Sequence, residues 1–188
     1  MYCASQNKMT QENINIMIQT GRLKLEFWTL LFHYGLGYVF ASMPLMAICF
    51  YFRGLIRYDL NESAIIALII IGLIGAVAAT IFYIFRYRQL KFTVIQTKLK
   101  SAEIKDAIDK TAEKWEWEII ESTPNYIYAI QKPDFITSNG NRITIILNNE
   151  NVLINSVSVS PTLFFGSNVD NINTLKNNMM ASTYRSAL

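Results

Sequence analysis

Two long runs without a charged side chain constrain this chain more than any other feature. They cover residues 28–52 and 63–85, so that 25 and 23 consecutive positions lack Asp, Glu, Lys and Arg. In an α-helix, about 20 apolar residues cross the hydrocarbon core of a bilayer. The core helices of soluble domains seldom reach that length without a charge. The runs therefore predict two transmembrane helices, at residues 28–52 and 63–87.

The distribution of charge argues for a lipid bilayer as a partner and against nucleic acid. Charged residues are only 16% of the 188 positions, against about 25% in ordinary globular domains. Residues 90–188 carry ten basic and ten acidic side chains, so the net charge of +3 belongs to the residues around the apolar runs. A nucleic-acid-binding domain would instead concentrate positive charge on its folded surface.

The basic residues near the runs predict how the chain is oriented. Seven Lys or Arg residues lie close to the runs on the side of the two termini, whereas the connecting segment 53–62 has two, Arg53 and Arg57, beside Asp59 and Glu62. The seven are Arg22, Lys24, Arg86, Arg88, Lys91, Lys98 and Lys100. Positive charge is retained on the cytoplasmic side. Both termini are therefore predicted to be cytoplasmic, in a bacterial inner (plasma) membrane, with residues 53–62 as a short outer loop. The aromatic residues expected at the interfaces are Trp28, Tyr83 and Tyr87 on the inner side and Tyr51 and Tyr58 on the outer side.

Small residues recur inside both runs, largely at the spacing that lets helix backbones approach closely. They predict that the two helices pack as a hairpin, with association between copies of the chain as the alternative. The candidate packing residues are Gly72, Gly75, Ala76 and Ala79 in the second run and Gly35, Gly37 and Ala41 in the first.

Two other residues of the first run allow a functional or a structural interpretation. His33 lies about 7–8 Å past Trp28 along a helix, near the inner interface, and neither run offers an acidic partner. A structural role for His33 is therefore favoured over a proton relay. Pro44 should kink the helix by removing one backbone hydrogen bond, and a gating hinge is the less favoured interpretation.

Residues 88–188 are predicted to form a small cytoplasmic α+β domain. Alternating apolar residues and turn residues give the order β-α-β-β-β-β-α, with two helices packed on one antiparallel sheet in two layers. We expect this domain to fold by itself. The predicted elements are a strand at 91–96, a helix from an N-cap at Ser101 to about 115, strands at 117–121, 126–131, 142–147 and 152–159, and a helix at about 169–180 with Asn168 as its N-cap.

The N-terminal segment, residues 1–27, has two open interpretations. Ile14, Ile16 and Ile18 alternate, Gly21 interrupts, and a second alternation follows. The segment could add a strand to the cytoplasmic sheet, or it could lie at the membrane interface.

The sequence contains no motif for nucleotide, metal or nucleophilic chemistry. The whole chain has one His and two Cys, and residues 88–188 have neither, so a Ser-His or Cys-His pair within the cytoplasmic domain is impossible. We therefore assign no catalytic, cofactor-binding or metal-binding residues and expect no cofactor. An enzyme ranks third among the functional hypotheses.

One loop stands out as a candidate interaction site. Leu163, Phe164 and Phe165 lie between Pro161 and Gly166. They could cap the core of the domain, enter the inner leaflet, or contact a partner, and the core interpretation is favoured. The polar pair formed by Asn155 and Ser156 is expected to be buried and to tie this loop.

Several short runs share a pattern across residues 88–180. They are Leu90-Lys91-Phe92 with Thr97, Trp115–Ile119, Tyr126, Arg142–Ile146, Val152–Ser156, and Phe165-Gly166 with Asn168, Asn171 and Ile172. In this pattern the chain resembles small two-span membrane proteins of unknown function from Bacteroidetes-type bacteria. The resemblance implies no particular chemistry.

The leading hypothesis is an integral inner-membrane protein that anchors a small cytoplasmic interaction domain. Its partner would be another protein or a second copy of the chain. The alternative is an oligomeric transport or channel component. A transport path needs polar residues facing it, and the two runs offer few, which favours the first hypothesis.

Overall fold

The computed structural model describes residues 9–57, 61–132, 140–148, 151–158 and 166–186. The chain divides into two compact units, residues 25–89 and a second unit that joins the residues up to Lys24 to residues 90–188. The described ranges contain five helices and five strands. The helices are α1 (Gln11–Thr20), α2 (Phe27–Arg57), α3 (Glu62–Gln89), α4 (Ser101–Lys114) and α5 (Gly166–Ser186), and the strands are β1 (Thr93–Gln96), β2 (Trp117–Ser122), β3 (Tyr126–Gln131), β4 (Asn141–Asn148) and β5 (Asn151–Ser158).

The first unit is a pair of helices, α2 and α3, each long and apolar enough to cross a membrane. Both extend beyond the predicted spans of 28–52 and 63–87. Residues 53–57, predicted as part of the outer loop, are the last turns of α2, since nothing in them breaks a helix. Residues 58–60 lie outside the described ranges, and α3 begins at Glu62.

The second unit is built on one antiparallel sheet in the order β1-β5-β4-β3-β2. From β1 to α5 the elements follow the predicted order β-α-β-β-β-β-α. The long strands β4 and β5 form the centre, with Ile145 opposite Ile154 and Asn148 opposite Asn151. The strand β2 lies at one edge and pairs with β3.

The helices α4 and α5 cover one face of the sheet. Alternate residues of the strands enter the same apolar cluster as the inward residues of both helices. The cluster contains Ile95, Ile104, Ala107, Ile108, Ala112, Trp117, Ile127, Ala129, Ile143, Ile145, Val152, Ile154, Leu175 and Met179.

Both of these helices begin earlier than the sequence predicts. The cap of α4 is Lys100 rather than Ser101, because the carboxylate of Glu103 accepts the backbone N–H of Lys100 at 2.8 Å. The helix α5 begins at Gly166, which places Asn168 in its first turn and not at the N-cap.

The opposite face of the sheet is also buried, and α1 contacts it through β4. Thr144 and Ile146 alternate with the core residues of β4 and are almost completely inaccessible. On α1, Ile14 and Met17 are buried and Ile18 is half-buried, which is helical spacing. The side chain of Thr10 caps the start of α1, and Gly21 ends it in the left-handed conformation with φ of 62°. The alternating isoleucines therefore belong to a helix and not to a strand.

The residues after α1 attach it to the rest of the unit. The backbone N–H of Leu23 donates to the carbonyl of Leu90 at 2.8 Å, and that of Phe92 donates to the carbonyl of Gly21 at 3.0 Å. The side-chain amide of Asn155, on β5, donates to the carbonyl of Lys91 at 3.0 Å. The predicted two-layer arrangement thus acquires a third layer, which comes from the residues before the first apolar helix.

Candidate functional site

The edge strand β2 is positioned by the residues at its start. Glu116 has a φ of 52°, and this left-handed conformation turns the chain from α4 into β2. The next residue, Trp117, is buried in the apolar cluster, where its indole N–H donates to Oδ1 of Asn171 at 3.1 Å. The turn and the buried indole together fix the start of β2 against the core and α5.

The remainder of β2 exposes apolar side chains between acidic ones. Ile119 and Ile120 are each 41% exposed, and a register shift between Ile119 and Glu121 marks a β-bulge. Glu118 pairs with Lys132 at 3.5 Å. Charges and bulges limit indiscriminate pairing of edge strands while leaving backbone groups open to a specific partner.

Glu121 adds an acceptor at this edge. Its Oε1 atom is buried and, within the described structure, has no hydrogen-bond partner. A buried acceptor without a donor costs free energy. The surface formed by Glu118, Ile119, Ile120 and Glu121, hereafter the β2 edge, can therefore accept an extended segment that carries apolar and basic side chains.

Beneath this edge lies a buried cluster of polar side chains. Asn171, which is fully buried on α5, donates to Oε1 of Gln131 at 2.8 Å and lies 3.5 Å from Oγ of Ser156. Asn141 donates to the same Gln131 oxygen at 2.8 Å. With Trp117, these side chains connect four strands to α5.

The chemistry available to this polar cluster is hydrogen bonding. Amides, a hydroxyl and an indole do not titrate near neutral pH, so the cluster cannot act as a general acid or base. Such a network fixes which strands and helix meet in the core. Elsewhere in the described residues, no group of three or more His, Cys, Asp or Glu side chains is arranged to hold a metal ion.

In the helix pair, three of the candidate packing glycines face the opposite helix. A Cβ at Gly75 would lie 2.6 Å from Cβ of Met43, one at Gly37 would lie 3.0 Å from the ring of Phe82, and one at Gly72 would lie 3.6 Å from Cβ of Ala47. The other candidates are placed differently. Gly35 has nothing within 4 Å of an added Cβ, Ala41 and Ala76 are exposed, and Ala79 is half-buried.

The structure gives His33 and Pro44 packing environments. His33 is buried, with Nε2 at 3.2 Å from the carbonyl oxygen of Arg86 on α3. The guanidinium of Arg86 lies over the ring of Phe82, 5.1 Å from its centroid, and donates to Gln89 at 3.1 Å. Pro44 packs against the positions of Gly72 and Gly75. The contacts of His33 and Pro44 join the two helices and agree with a structural role for both residues, whereas the ring contact and the hydrogen bond of the Arg86 guanidinium lie within α3.

The candidate loop residues Leu163, Phe164 and Phe165 lie outside the described residues, and their role stays a prediction. Of the predicted polar pair, Ser156 contacts the buried Asn171, whereas Asn155 lies on the opposite face of the sheet and binds the backbone of Lys91. No sequence motif singles out the acidic residues of β2. That β2 is an edge depends on strand order, which a single sequence does not reveal.

No protein-family model and no curated protein matches this sequence. The functional inference therefore rests on the arrangement of its own residues.

Proposed function

We propose that this chain is a two-span inner-membrane protein whose cytoplasmic domain binds another protein through the β2 edge. In this proposal the helix pair is an anchor, the domain performs no catalysis, and the chain is related to the small two-span Bacteroidetes-type proteins that it resembles. The observation that carries the binding role is that Ile119 and Ile120 are exposed on an edge strand. Beside them, one buried oxygen of Glu121 has no hydrogen-bond partner among the described residues.

The exposure of α2 and α3 supports the membrane assignment. Only 11% of the most apolar stretch of each helix is buried, whereas a core helix of a soluble protein is mostly buried. Large apolar side chains along both helices are more than half exposed. Soluble proteins rarely expose so large an apolar surface to water. Examples are Phe32, Leu45, Leu73, Ile74 and Ile81.

The second unit contains chain segments from both ends of the sequence, which supports both termini lying on the same side of the membrane. The residues before α2 and those after α3 form one folded unit, so they lie on one side of any membrane that the two helices cross. The seven basic residues flanking the pair favour the cytoplasm as that side.

The chemistry of the β2 edge supports a protein as the ligand. Strand addition to a sheet edge supplies backbone hydrogen bonds, and flanking side chains supply specificity. Glu118 and Glu121 favour basic residues in the added segment, and Ile119 and Ile120 favour apolar ones. A segment of this kind can come from a second copy of this chain or from a different protein.

Photo-crosslinking in native membranes tests the proposal. A photoreactive amino acid is placed at Ile119 in the full chain, and the matched control carries it at Val169, an exposed apolar residue on α5 that is 57% accessible. We expect a discrete adduct from position 119 and none from position 169. An adduct near twice the 21.6 kDa of the chain would identify self-association.

A second variant separates specific binding from chance proximity. Ile120→Lys places a charge beside the probe without touching the buried cluster, and it should abolish the adduct at position 119. Equal adducts at both positions, or an adduct that survives Ile120→Lys, would contradict binding through the β2 edge.

A further inference from the structure

A cleft opens between α2 and α3 at the end of the pair where the two helices are joined. Its volume is about 430 Å³. The proposed anchoring role makes no use of it. The lining residues are Phe50, Arg53, Gly54 and Arg57 on α2 and Ala64, Ala67 and Leu68 on α3, at spacings of three and four residues that place each set on one helix face.

The cleft combines a small-residue lining with two positive charges. Gly54, Ala64 and Ala67 leave space where larger side chains would close the gap between the helices. Arg53 and Arg57 lie one turn apart on the same face and are exposed. Among the described residues, neither guanidinium takes part in an ion pair.

The depth of the arginines matches the headgroup region of a bilayer. Arg53 lies about 37 Å along the helix from Trp28, the residue predicted at the opposite interface, at 1.5 Å per residue. The hydrocarbon core is about 30 Å thick. Arg53 and Arg57 are therefore just outside the hydrocarbon, where lipid phosphates lie, and Phe50 and Leu68 extend toward the acyl chains.

We propose that this cleft binds an anionic phospholipid of the outer leaflet, with its phosphate between the guanidiniums of Arg53 and Arg57. Guanidinium groups bind phosphate through paired N–H···O hydrogen bonds, and the opposite charges are complementary. The apolar lining then receives the upper part of the lipid chains. This inference rests on the membrane-spanning part of the proposed function.

Lipid retention by the full chain tests the inference. The protein is incorporated into bilayers of phosphatidylcholine and phosphatidylglycerol, transferred to mild detergent, and weighed by native mass spectrometry to count bound lipids. We expect the wild-type chain to retain one phosphatidylglycerol in preference to phosphatidylcholine. Arg53→Gln with Arg57→Gln should lower that preference by about tenfold, because both charge-assisted contacts to phosphate are lost.

Two further variants control for charge and for folding. Arg88→Gln removes an exposed charge at the other end of α3 and should keep the preference for phosphatidylglycerol. Ala64→Leu keeps both arginines and fills the cleft with a good helix former, and it should lower retention of the lipid. An equal loss in Arg88→Gln would mean that general charge attraction, and not the cleft, holds the lipid.

The remaining outcomes distinguish this inference from the proposed function. A chain that enters bilayers but shows no preference for phosphatidylglycerol overturns the lipid site alone. A chain that does not enter bilayers overturns both. Displacement of phosphatidylglycerol by millimolar inorganic phosphate would assign the cleft to a soluble anion instead of a lipid.

Discussion

The backbone N–H of Leu23 donates to the carbonyl oxygen of Leu90 at 2.8 Å, although both apolar helices lie between these residues in the sequence. The segment that leads into α2 and the segment that leaves α3 are thus joined by an isolated antiparallel β-bridge, with Arg22 opposite Lys91. If α2 and α3 cross a membrane, the two parts of this folded unit lie on the same side of it.

The contribution of α1 to the stability of the sheet can be measured on a shortened protein without the two apolar helices, hereafter the joined unit. In it, residues 9–24 are linked to residues 90–188 by an added Asn-Gly turn, which suits the antiparallel pairing of the two segments. Met17→Ala should then lower the free energy of unfolding by about 2–5 kcal/mol, since Met17 is fully buried. Chemical denaturation measures the change, and Gln19→Ala, at an exposed position of α1, is the control.

The fragment 90–188 tests the sequence-based prediction that the C-terminal part folds alone, which the contact of α1 with β4 argues against. Without α1, the face of β4 that carries the buried Ile146 loses the helix that contacts it. We expect residues 90–188 to bind a hydrophobic dye and to unfold without a cooperative transition. A sharp transition in this fragment, equal to that of the joined unit, would show that α1 is dispensable.

The buried amide of Asn171 should be more important than any exposed amide on α5. Asn171→Ala leaves the indole N–H of Trp117 without its acceptor, whereas Oε1 of Gln131 keeps its hydrogen bond from Asn141, and one unsatisfied buried group costs about 1–3 kcal/mol. Unfolding of the joined unit, followed by tryptophan fluorescence, should show a loss of about 1–3 kcal/mol. Asn173→Ala, at an exposed position of the same helix, should change stability little. Equal effects would argue against the polar cluster.

Two glycines of the helix pair form a matched test of its packing. Gly75→Ala would place Cβ 2.6 Å from Cβ of Met43, so the helices must separate locally, whereas Gly35→Ala meets nothing within 4 Å. We expect Gly75→Ala to destabilise the pair by about 1–3 kcal/mol, the usual cost of overpacking. Denaturation by titration of sodium dodecyl sulfate into mild detergent measures this. A neutral Gly75→Ala would contradict the packing described.

The left-handed Glu116 offers a stabilising substitution. A residue with a Cβ pays about 1–2 kcal/mol in this conformation, and glycine avoids that cost but loses about 0.5–1 kcal/mol through greater freedom of the unfolded chain. Glu116→Gly should therefore stabilise the joined unit by about 0.5–1 kcal/mol in thermal denaturation. Glu113→Gly, inside α4, should destabilise it by about 1 kcal/mol.

Sequence patterns predict the helices and strands of this chain better than they predict which of these elements pack against each other. Uninterrupted apolar runs identify α2 and α3, because length without charge is a strong signal, and alternation locates the strands to within about two residues. The N-terminal segment is misleading, since Ile14, Ile16 and Ile18 alternate while the helical face uses Ile14, Met17 and Ile18. Only the contact with β4, distant in sequence, decides between the two patterns.

The candidate sites depend still more on tertiary structure. Apolar residues recur at helical spacing from Val169 along α5, but Val169 is exposed and Asn171 is buried. A polar residue becomes an inward one there because Gln131 and Trp117, from two other elements, supply its hydrogen bonds. In the same way, β2 is an edge because of strand order, and the arginine cleft exists because two helix faces meet.

Cysteine accessibility tests the topology of the full chain. With Cys3 and Cys49 replaced by Ser, three single-cysteine variants are made, all at exposed positions: Glu62→Cys at the first residue of α3, Gln19→Cys on α1 and Lys110→Cys on α4. Intact spheroplasts are treated with a maleimide that cannot cross the membrane. We expect label on Glu62→Cys alone, and label on the other two only after the membrane is permeabilised. Labelling of Gln19→Cys or Lys110→Cys in intact spheroplasts, or different behaviour of these two variants, would contradict a two-span protein with one cytoplasmic domain.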